Sequence, residues 1–338
     1  MTPDVGIFGQ PRRSAIKLKT GKKLLVSLLA AAAVLEISLR LIWGFANPAL
    51  VETDPSIGYL FRANQEVHRF GRTIAINRFH QRSADVADQP GANTLRILFV
   101  GDSVTFGGAP IDQRQIFSEV IKDRLRADGN VEVLNASAGG WAIANEKAYL
   151  EKFHTFGSAL VVFEIGSNDF FQDKNDGLEI GRDASMPDRR PISAIGELVF
   201  NYLLPRVAIA PPAPPQAESN NPTDSFAENM GCVKDEIAFV KKAGAQVAIL
   251  HVPNRDEVVP RTAGFETKYE VWREKFLGLC REQDVPVLNL FPIWKADPNA
   301  RLYFRDELHL TVEGNKAVAD QFVHFFKTLD LPPMKTAP

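Results

Sequence analysis

Cysteine is nearly absent from this 338-residue chain: Cys232 and Cys280 are its only two. That is too few for a thiolate zinc site or a disulfide framework. Buried thiols and a single disulfide remain as equal alternatives for the pair. No GxGxxG or Walker loop is present, and no cluster of His, Cys and carboxylates has metal-ligand spacing, so chemistry without cofactor or metal is the default. Neither sign of charge is in excess. The 39 Lys and Arg against 41 Asp and Glu leave a formal net charge of −2, and no basic stripe outside the N-terminus invites nucleic acid. No internal repeat is visible. What remains is an ordinary globular composition, 45% hydrophobic and 24% charged, sufficient for one large α/β domain with an appendage.

One hydrophobic run departs from that average. A polar stretch carrying Arg12, Arg13, Lys17, Lys19, Lys22 and Lys23 precedes LLVSLLAAAAVLEISLRLIWGF, residues 24–45. About 20 mostly apolar residues cross a bilayer as a helix, and a basic flank stays on the cytoplasmic side. Trp43 and Phe45 fall where an interfacial aromatic anchor belongs. Glu36 is the expensive residue, costing about 2.5–3.5 kcal/mol at a bilayer centre. It lies toward the outer end, however, where it can pair with Arg40 four residues on, and Arg40 can snorkel to the interface. An uncleaved signal anchor is therefore expected. A signal peptide cleaved near Gly44-Phe45-Ala46 and an interfacial or core helix are the alternatives. The expected layout is a cytoplasmic basic N-terminus (1–23), a transmembrane helix (24–45), an extracytoplasmic lead-in (46–92), a main domain on the periplasmic side (93–330) and a short tail (331–338).

Within the main domain, residues 95–100 form a short apolar, β-branched run that reads as a strand buried on both faces, as in a parallel sheet. Residues 131–135, 159–165, 246–251 and 285–290 repeat the pattern. Helical spacing predicts helices over 113–127, 142–153, 224–243 and 265–283, and a closing helix over 312–329 with Thr311 as its N-cap. Five strands alternating with helices give a three-layer α/β/α, flavodoxin-like fold with a doubly wound parallel sheet. Upstream, residues 66–77 alternate as a β-hairpin around Gly71 would, and Pro48 and Pro55 break helix. Arg69, Arg72, His80 and Arg82 read as solvated or packing surface. Residues 170–222 do not fit the alternation, and a loop this long is usually functional or disordered. Their apolar part, 192–204, reads as a lid helix, a membrane-contacting helix or a surface helix over the core, ahead of Pro211-Pro-Ala-Pro-Pro215. Phe170, Phe171, Phe200 and Tyr202 are its aromatic candidates for a lid or sugar platform.

Open parallel sheets bind ligands beyond the carboxyl ends of their strands. The polar residues there are Gly101-Asp102-Ser103 after the first strand, Asn-Ala-Ser-Ala-Gly139-Gly140 at the second and Gly166-Ser-Asn168-Asp169 after the third. Asp306-Glu-Leu-His309 precedes the last helix. Taken in order, these motifs resemble the SGNH hydrolases, also called GDSL esterases and lipases, from about residue 95 to the C-terminal helix. Residues 74–82 of the lead-in and the hydrophobic run are similar to exported, membrane-anchored bacterial members. The resemblance implies that Ser103 is the nucleophile, His309 its general base and Asp306 the residue that orients and charge-stabilises the imidazole. It also implies an oxyanion hole built from the backbone N–H groups of Ser103 and Gly140 and the side-chain amide of Asn168. Chemistry supplies independent reasons, since serine needs a base within hydrogen-bond reach and the developing alkoxide needs preorganised donors.

What the resemblance implies for activity is an extracytoplasmic serine esterase without a cofactor, acting on an ester carried by an acylated glycan or a lipid. An O-acyltransferase of cell-envelope polysaccharide would use the same triad. A non-catalytic envelope-binding or scaffolding relative would have no need of Ser, Asp and His together. The missing GxSxG excludes the nucleophile elbow of the α/β-hydrolase form of this chemistry. Val104-Thr105-Phe106-Gly107 stands where the family's ester hydrolases often continue with leucine, a variant similar to exported members acting on acylated sugars or of unknown substrate. Asp102 and Asp169 are expected to bond loop backbone, and His154 and His251 to be structural.

Overall fold

Runs of apolar residues too short for a helix and uninterrupted by charge become the five strands of one sheet. The computed structural model describes residues 13–207, 221–259 and 269–331. These fall into two units: the N-terminal stretch ending at Asn47 together with the segment beginning at Pro191, and the remainder.

In the larger unit the sheet consists of β5 (Leu95–Gly101), β6 (Val131–Ser137), β7 (Leu160–Glu164), β8 (Gln246–His251) and β9 (Val287–Asn289), numbered after two upstream hairpins. Its order is β6-β5-β7-β8-β9, with every pairing parallel. Alternate side chains of a strand face opposite sides. Leu98 and Val100 of β5 therefore enter one core with Tyr149, Val233, Ile237 and Phe276. Ile97 and Phe99 enter the other with Phe117, Ile121, Val318 and Phe322. The first core is covered by helices Ile143–Phe153, Pro222–Lys242 and Glu270–Glu282, the second by Phe117–Leu125 and Val312–Phe326. This is the flavodoxin-like, three-layer α/β/α arrangement, and Thr311 caps its closing helix through the Gly314 N–H at 3.1 Å.

Several elements differ from the periodicity. The helix expected over 113–127 divides, because Ile116 is extended (φ −70°, ψ 146°) between a 3₁₀ turn at Gln113–Gln115 and the helix from Phe117. Asp112 explains the break: one oxygen caps the turn at Arg114 N (3.1 Å) and the other takes Thr73 N (2.8 Å). Two antiparallel hairpins precede the sheet, β1 (Val51–Asp54) with β2 (Gly58–Phe61), and β3 (Gln65–Arg69) with β4 (Arg72–Ile76). The second turns at Phe70 and Gly71, both with positive φ, as a tight two-residue connection requires. The first was not apparent from Pro48 and Pro55. Its turn is organised by Asp54, whose Oδ1 accepts from the N–H groups of Ser56 and Ile57, each at 3.0 Å. Phe170, expected in a cover, is fully buried in the first core, stacked on His251. Cys232 and Cys280 are both free thiols. Arg12, the proline-rich stretch 211–215, the expected helix start at 265 and the tail from 332 lie outside the described residues.

The smaller unit is built on α1 (Arg13–Trp43), of which Gly21–Trp43 is long and apolar enough to cross a membrane. Beside its C-terminal end lies a helical run made of Ala194–Glu197, a π-helical Leu198–Leu203 and Leu204–Val207. The contacts are polar as well as apolar. Glu36 accepts from the N–H groups of Ala194 (2.8 Å) and Ile195 (2.9 Å), while Arg40 pairs with Glu36 and donates to Ile192 O at 2.6 Å. Glu197 in turn accepts from Ala46 N at 2.5 Å.

Candidate active site

β5 ends where no side chain fits: a Cβ on Gly101 would lie 2.3 Å from Thr105 Oγ1. The chain then turns at once into the single helical turn Ser103–Phe106, which Asp102 caps by accepting from Val104 N at 2.7 Å. Gly107 closes the turn at φ +78°, a left-handed conformation natural to glycine. Strand order reverses around β5, whose neighbours are β6 and β7, and such a switch point opens a crevice beyond the strand ends. Ser103 sits at that crevice.

The second side of the site comes from the last loop. A bridge between Phe304 and Leu310 and the Arg305 N–H to His309 O bond (2.9 Å) fold residues 304–310 into a tight turn. Inside it, Asp306 Oδ1 accepts from the N–H groups of Leu308 (2.9 Å) and His309 (2.8 Å). The imidazole stands between acid and hydroxyl, with Nδ1 2.8 Å from Asp306 Oδ2 and Nε2 2.9 Å from Ser103 Oγ. A carboxylate can only accept, so Nδ1 carries the proton and Nε2 is left to accept from the serine. Burial pushes the Asp306 pKa up, but the backbone donors of His309 and Leu308 and the imidazole outweigh it and hold the carboxyl below its ordinary range.

The third side is made of the loops after β6 and β7. A Cβ on Gly139 would come within 3.9 Å of the Ser103 Cβ, so this loop runs directly past the serine. Gly140 has φ +77°, and Asn175 donates to its carbonyl at 3.2 Å. The Tyr59 hydroxyl donates to Gly139 O, and Tyr59 is itself held by Trp141 Nε1 on its carbonyl at 3.0 Å. Asn168 is fixed by donation to Asp169 Oδ1 at 2.9 Å. The structure thus brings Ser103, His309 and Asp306 into one row and runs the Gly139-Gly140 loop past the serine, while Asn168 is seated beside Asp169.

Beneath the serine lies a layer of buried acids. Desolvation raises the pKa of Asp102, and raises those of Glu164 and Asp169 well above the ordinary carboxylate range. The charges of Asp102 and Asp169 add to the cost of ionising Glu164. Thr105 Oγ1 donates to Glu164 Oε2 at 3.0 Å, and Asp169 takes Gly166 N at 2.7 Å. Asp102 and Asp169 do bond loop backbone, as expected.

Arg82, expected on a solvated or packing surface, is fully buried. Its guanidinium donates to Phe106 O (2.5 Å), Gly108 O (2.9 Å) and Ile111 O (2.6 Å), clamping the loop that leaves the serine. Burial pushes its pKa down to about 9, leaving it charged at neutral pH. Arg305 adds a bond to Gly107 O at 3.2 Å. Neither residue has a local sequence signal, because their acceptors are backbone carbonyls distant in the chain. His251, with Nδ1 2.8 Å from Ile165 O and its pKa pushed down to about 4 by burial, packs as a neutral core residue. Among the described residues no group of three or more His, Cys, Asp or Glu is arranged to hold a metal ion.

A doubly wound parallel sheet with serine, imidazole and carboxylate in a hydrogen-bonded row beyond its strand ends has the build of a serine hydrolase. Residues 99–317 match the GDSL-like Lipase/Acylhydrolase family, and the chain belongs to that family. GDSL esterase/lipase WDL1 of Oryza sativa subsp. japonica is 26% identical over 122 residues, covering 33% of this chain and 46% of the relative. The chain thus spans about half the length of that curated relative. Among solved structures, a G-D-S-L family lipolytic protein from Veillonella parvula is 15% identical with a TM-score of 0.44, covering 70% of this chain and 100% of the other. The lipase/acylhydrolase from Enterococcus faecalis is 17% identical with a TM-score of 0.45, covering 72% and 100%.

Proposed function

We propose that the protein is a membrane-anchored serine esterase that hydrolyses carboxylic esters through an acyl-enzyme. One observation carries the reading: the continuous row from Ser103 Oγ through His309 to Asp306, at 2.9 and 2.8 Å. Ser103 Oγ attacks the ester carbonyl as its proton passes to His309 Nε2. Asp306, hydrogen-bonded to Nδ1, stabilises the imidazolium without taking the proton. The tetrahedral oxyanion is received by the backbone N–H groups of Ser103 and Gly140 and the Asn168 amide. Nε2 returns its proton to the departing alcohol, leaving the acyl group on Ser103. Water then attacks the acyl-serine by the same route, releasing the acid and restoring the hydroxyl.

Hydrolysis is favoured over transfer to a second alcohol because the row opens to solvent. The His309 side chain is 29% exposed and that of Asp306 50%, so water reaches the acyl-serine, whereas a transferase must keep it scarce. The substrate class we assign is an acylated glycan or lipid of the envelope. The apolar Gly21–Trp43 helix and the basic residues before it support an anchor whose folded domain, 93–330, lies on the periplasmic side.

Ester turnover by the full-length protein tests the chemistry. Ser103→Ala and His309→Ala should each lose several orders of magnitude, and the double variant should be scarcely worse, because the parts act as a unit. Near-normal turnover in folded Ser103→Ala would overturn the mechanism. An activated acetyl ester offered with a glycan acceptor should give free acetate at an unchanged rate; acetyl appearing on the glycan instead would make the enzyme a transferase.

A further inference from the structure

Among the described residues most of helix α1 is uncovered: only 6% of its apolar window is buried, and Leu24, Leu25, Leu28, Leu29 and Val34 are exposed. That changes at its C-terminal end. Leu39, Phe45 and Ala46 are buried, and their neighbour is the helical run 194–207. The contact is reciprocal. Glu36 caps the start of the run through Ala194 N, Ile195 N and Ser193 Oγ (3.0 Å), and Arg40 binds both Glu36 and Ile192 O. Glu197 of the run returns a bond to Ala46 N, and Tyr202 meets Phe45 edge to face with centroids 5.4 Å apart. The two charges that argued against a membrane helix are therefore consumed in fastening a second helical element to it.

Among the described residues, that element and the residues leading into it expose apolar side chains. Ile192 is 97% exposed and Phe200 69%, and Leu203 and Leu204 are exposed as well. Exposed apolar residues clustered in this way mark an interaction surface. Arg206, also exposed, follows them where a long basic side chain can reach lipid headgroups. The occupant is indicated by continuity, because the patch is fastened to the end of a helix whose own uncovered apolar run has the length of a bilayer span.

We propose that residues 192–206 form an interfacial arm that lies on the outer leaflet beside the exit of α1, with Phe200, Leu203 and Leu204 in the acyl boundary. The anchor is then two-part, a spanning helix and a surface helix joined by the Glu36 and Glu197 caps. Amphipathic elements bind this way, with the apolar face at the headgroup and acyl boundary. The inference rests on the membrane-anchor part of the reading above.

The test places an environment-sensitive fluorophore on single cysteines of full-length protein in phosphatidylcholine liposomes. Cys232→Ser removes the half-exposed native thiol, and Cys280 is fully buried. Labels go on Phe200→Cys and Leu203→Cys, with Leu29→Cys reporting the span and Lys316→Cys reporting water. All four positions are exposed, so folding should be retained, and circular dichroism checks it. The arm labels should be quenched by lipids carrying a shallow spin label and shielded from aqueous iodide. Label 29 should respond to deep spin labels, and label 316 to iodide alone. If labels 200 and 203 are as open to iodide as label 316 while label 29 stays lipid-quenched, the arm is refuted and the anchor stands. Iodide access at label 29 as well overturns the anchor itself. Shielding at 200 without lipid quenching, together with cross-linking between chains, would put a second copy of the protein there and overturn the lipid assignment.

Discussion

Arg82→Met is the substitution that tests whether the nucleophile's loop is held from outside the motifs. It keeps an apolar stem and removes the donors to Phe106 O, Gly108 O and Ile111 O. A buried carbonyl left without a donor costs about 1–3 kcal/mol, so three cost about 3–9 kcal/mol. The lower part of that range, about 3–6 kcal/mol, is expected because the exposed loop at 109–110 can relax toward water. In a large domain about 1 kcal/mol lowers Tm by roughly 2 °C, so thermal unfolding should shift down by about 6–12 °C. Asp112 and Glu119 favour the charged guanidinium, and removing it also leaves those carboxylates without that compensation. Ester turnover should fall chiefly in kcat, because the loop begins one turn after Ser103 and substrate contacts are untouched. Arg82→Lys, with a point charge in place of the planar fork, should recover part of the Tm and little of the kcat. A loss below about 2 °C in Tm with unchanged kcat for Arg82→Met would refute the clamp.

The other expectations concern the acids and the amide of the site. Burial raises the Glu164 pKa above its unfolded value of about 4.3, so the folded state holds this proton more tightly and stability falls as pH rises past that value. Glu164→Gln removes the titrating group and should reduce that fall while retaining turnover; an unchanged slope in pH-dependent unfolding would rule out a raised Glu164 pKa. Asp306 has the opposite sign, with its folded pKa lowered. Its contribution is complete above the unfolded value near about 3.9 and is lost as pH falls through the folded one, so Asp306→Asn should flatten the acid limb of the melting curve. Asn168→Ala should reduce kcat by about 10²–10³ if its amide meets the oxyanion, with KM nearly unchanged; a pure KM effect would assign it to ground-state binding instead.

The five strands, the helices between them and the Thr311 cap were legible in the chain because each depends on neighbours within a few residues. Periodicity records burial, and hydroxyls at helix starts record caps. The places of Ser103, Gly140, Asn168, Asp306 and His309 were legible for a related reason, since each lies next to a strand end or helix start that local pattern marks. Their roles came from the resemblance to the family. Only the tertiary structure decided what Arg82, Tyr59 and Glu36 do. Arg82 finds its acceptors 24 to 29 residues away, Tyr59 reaches 80 residues to Gly139, and Glu36 caps a helix 158 residues on. A charged or phenolic side chain looks the same in sequence whether water or a distant carbonyl satisfies it. The difference is burial, which arises when separate segments close over it and leave no water to compete.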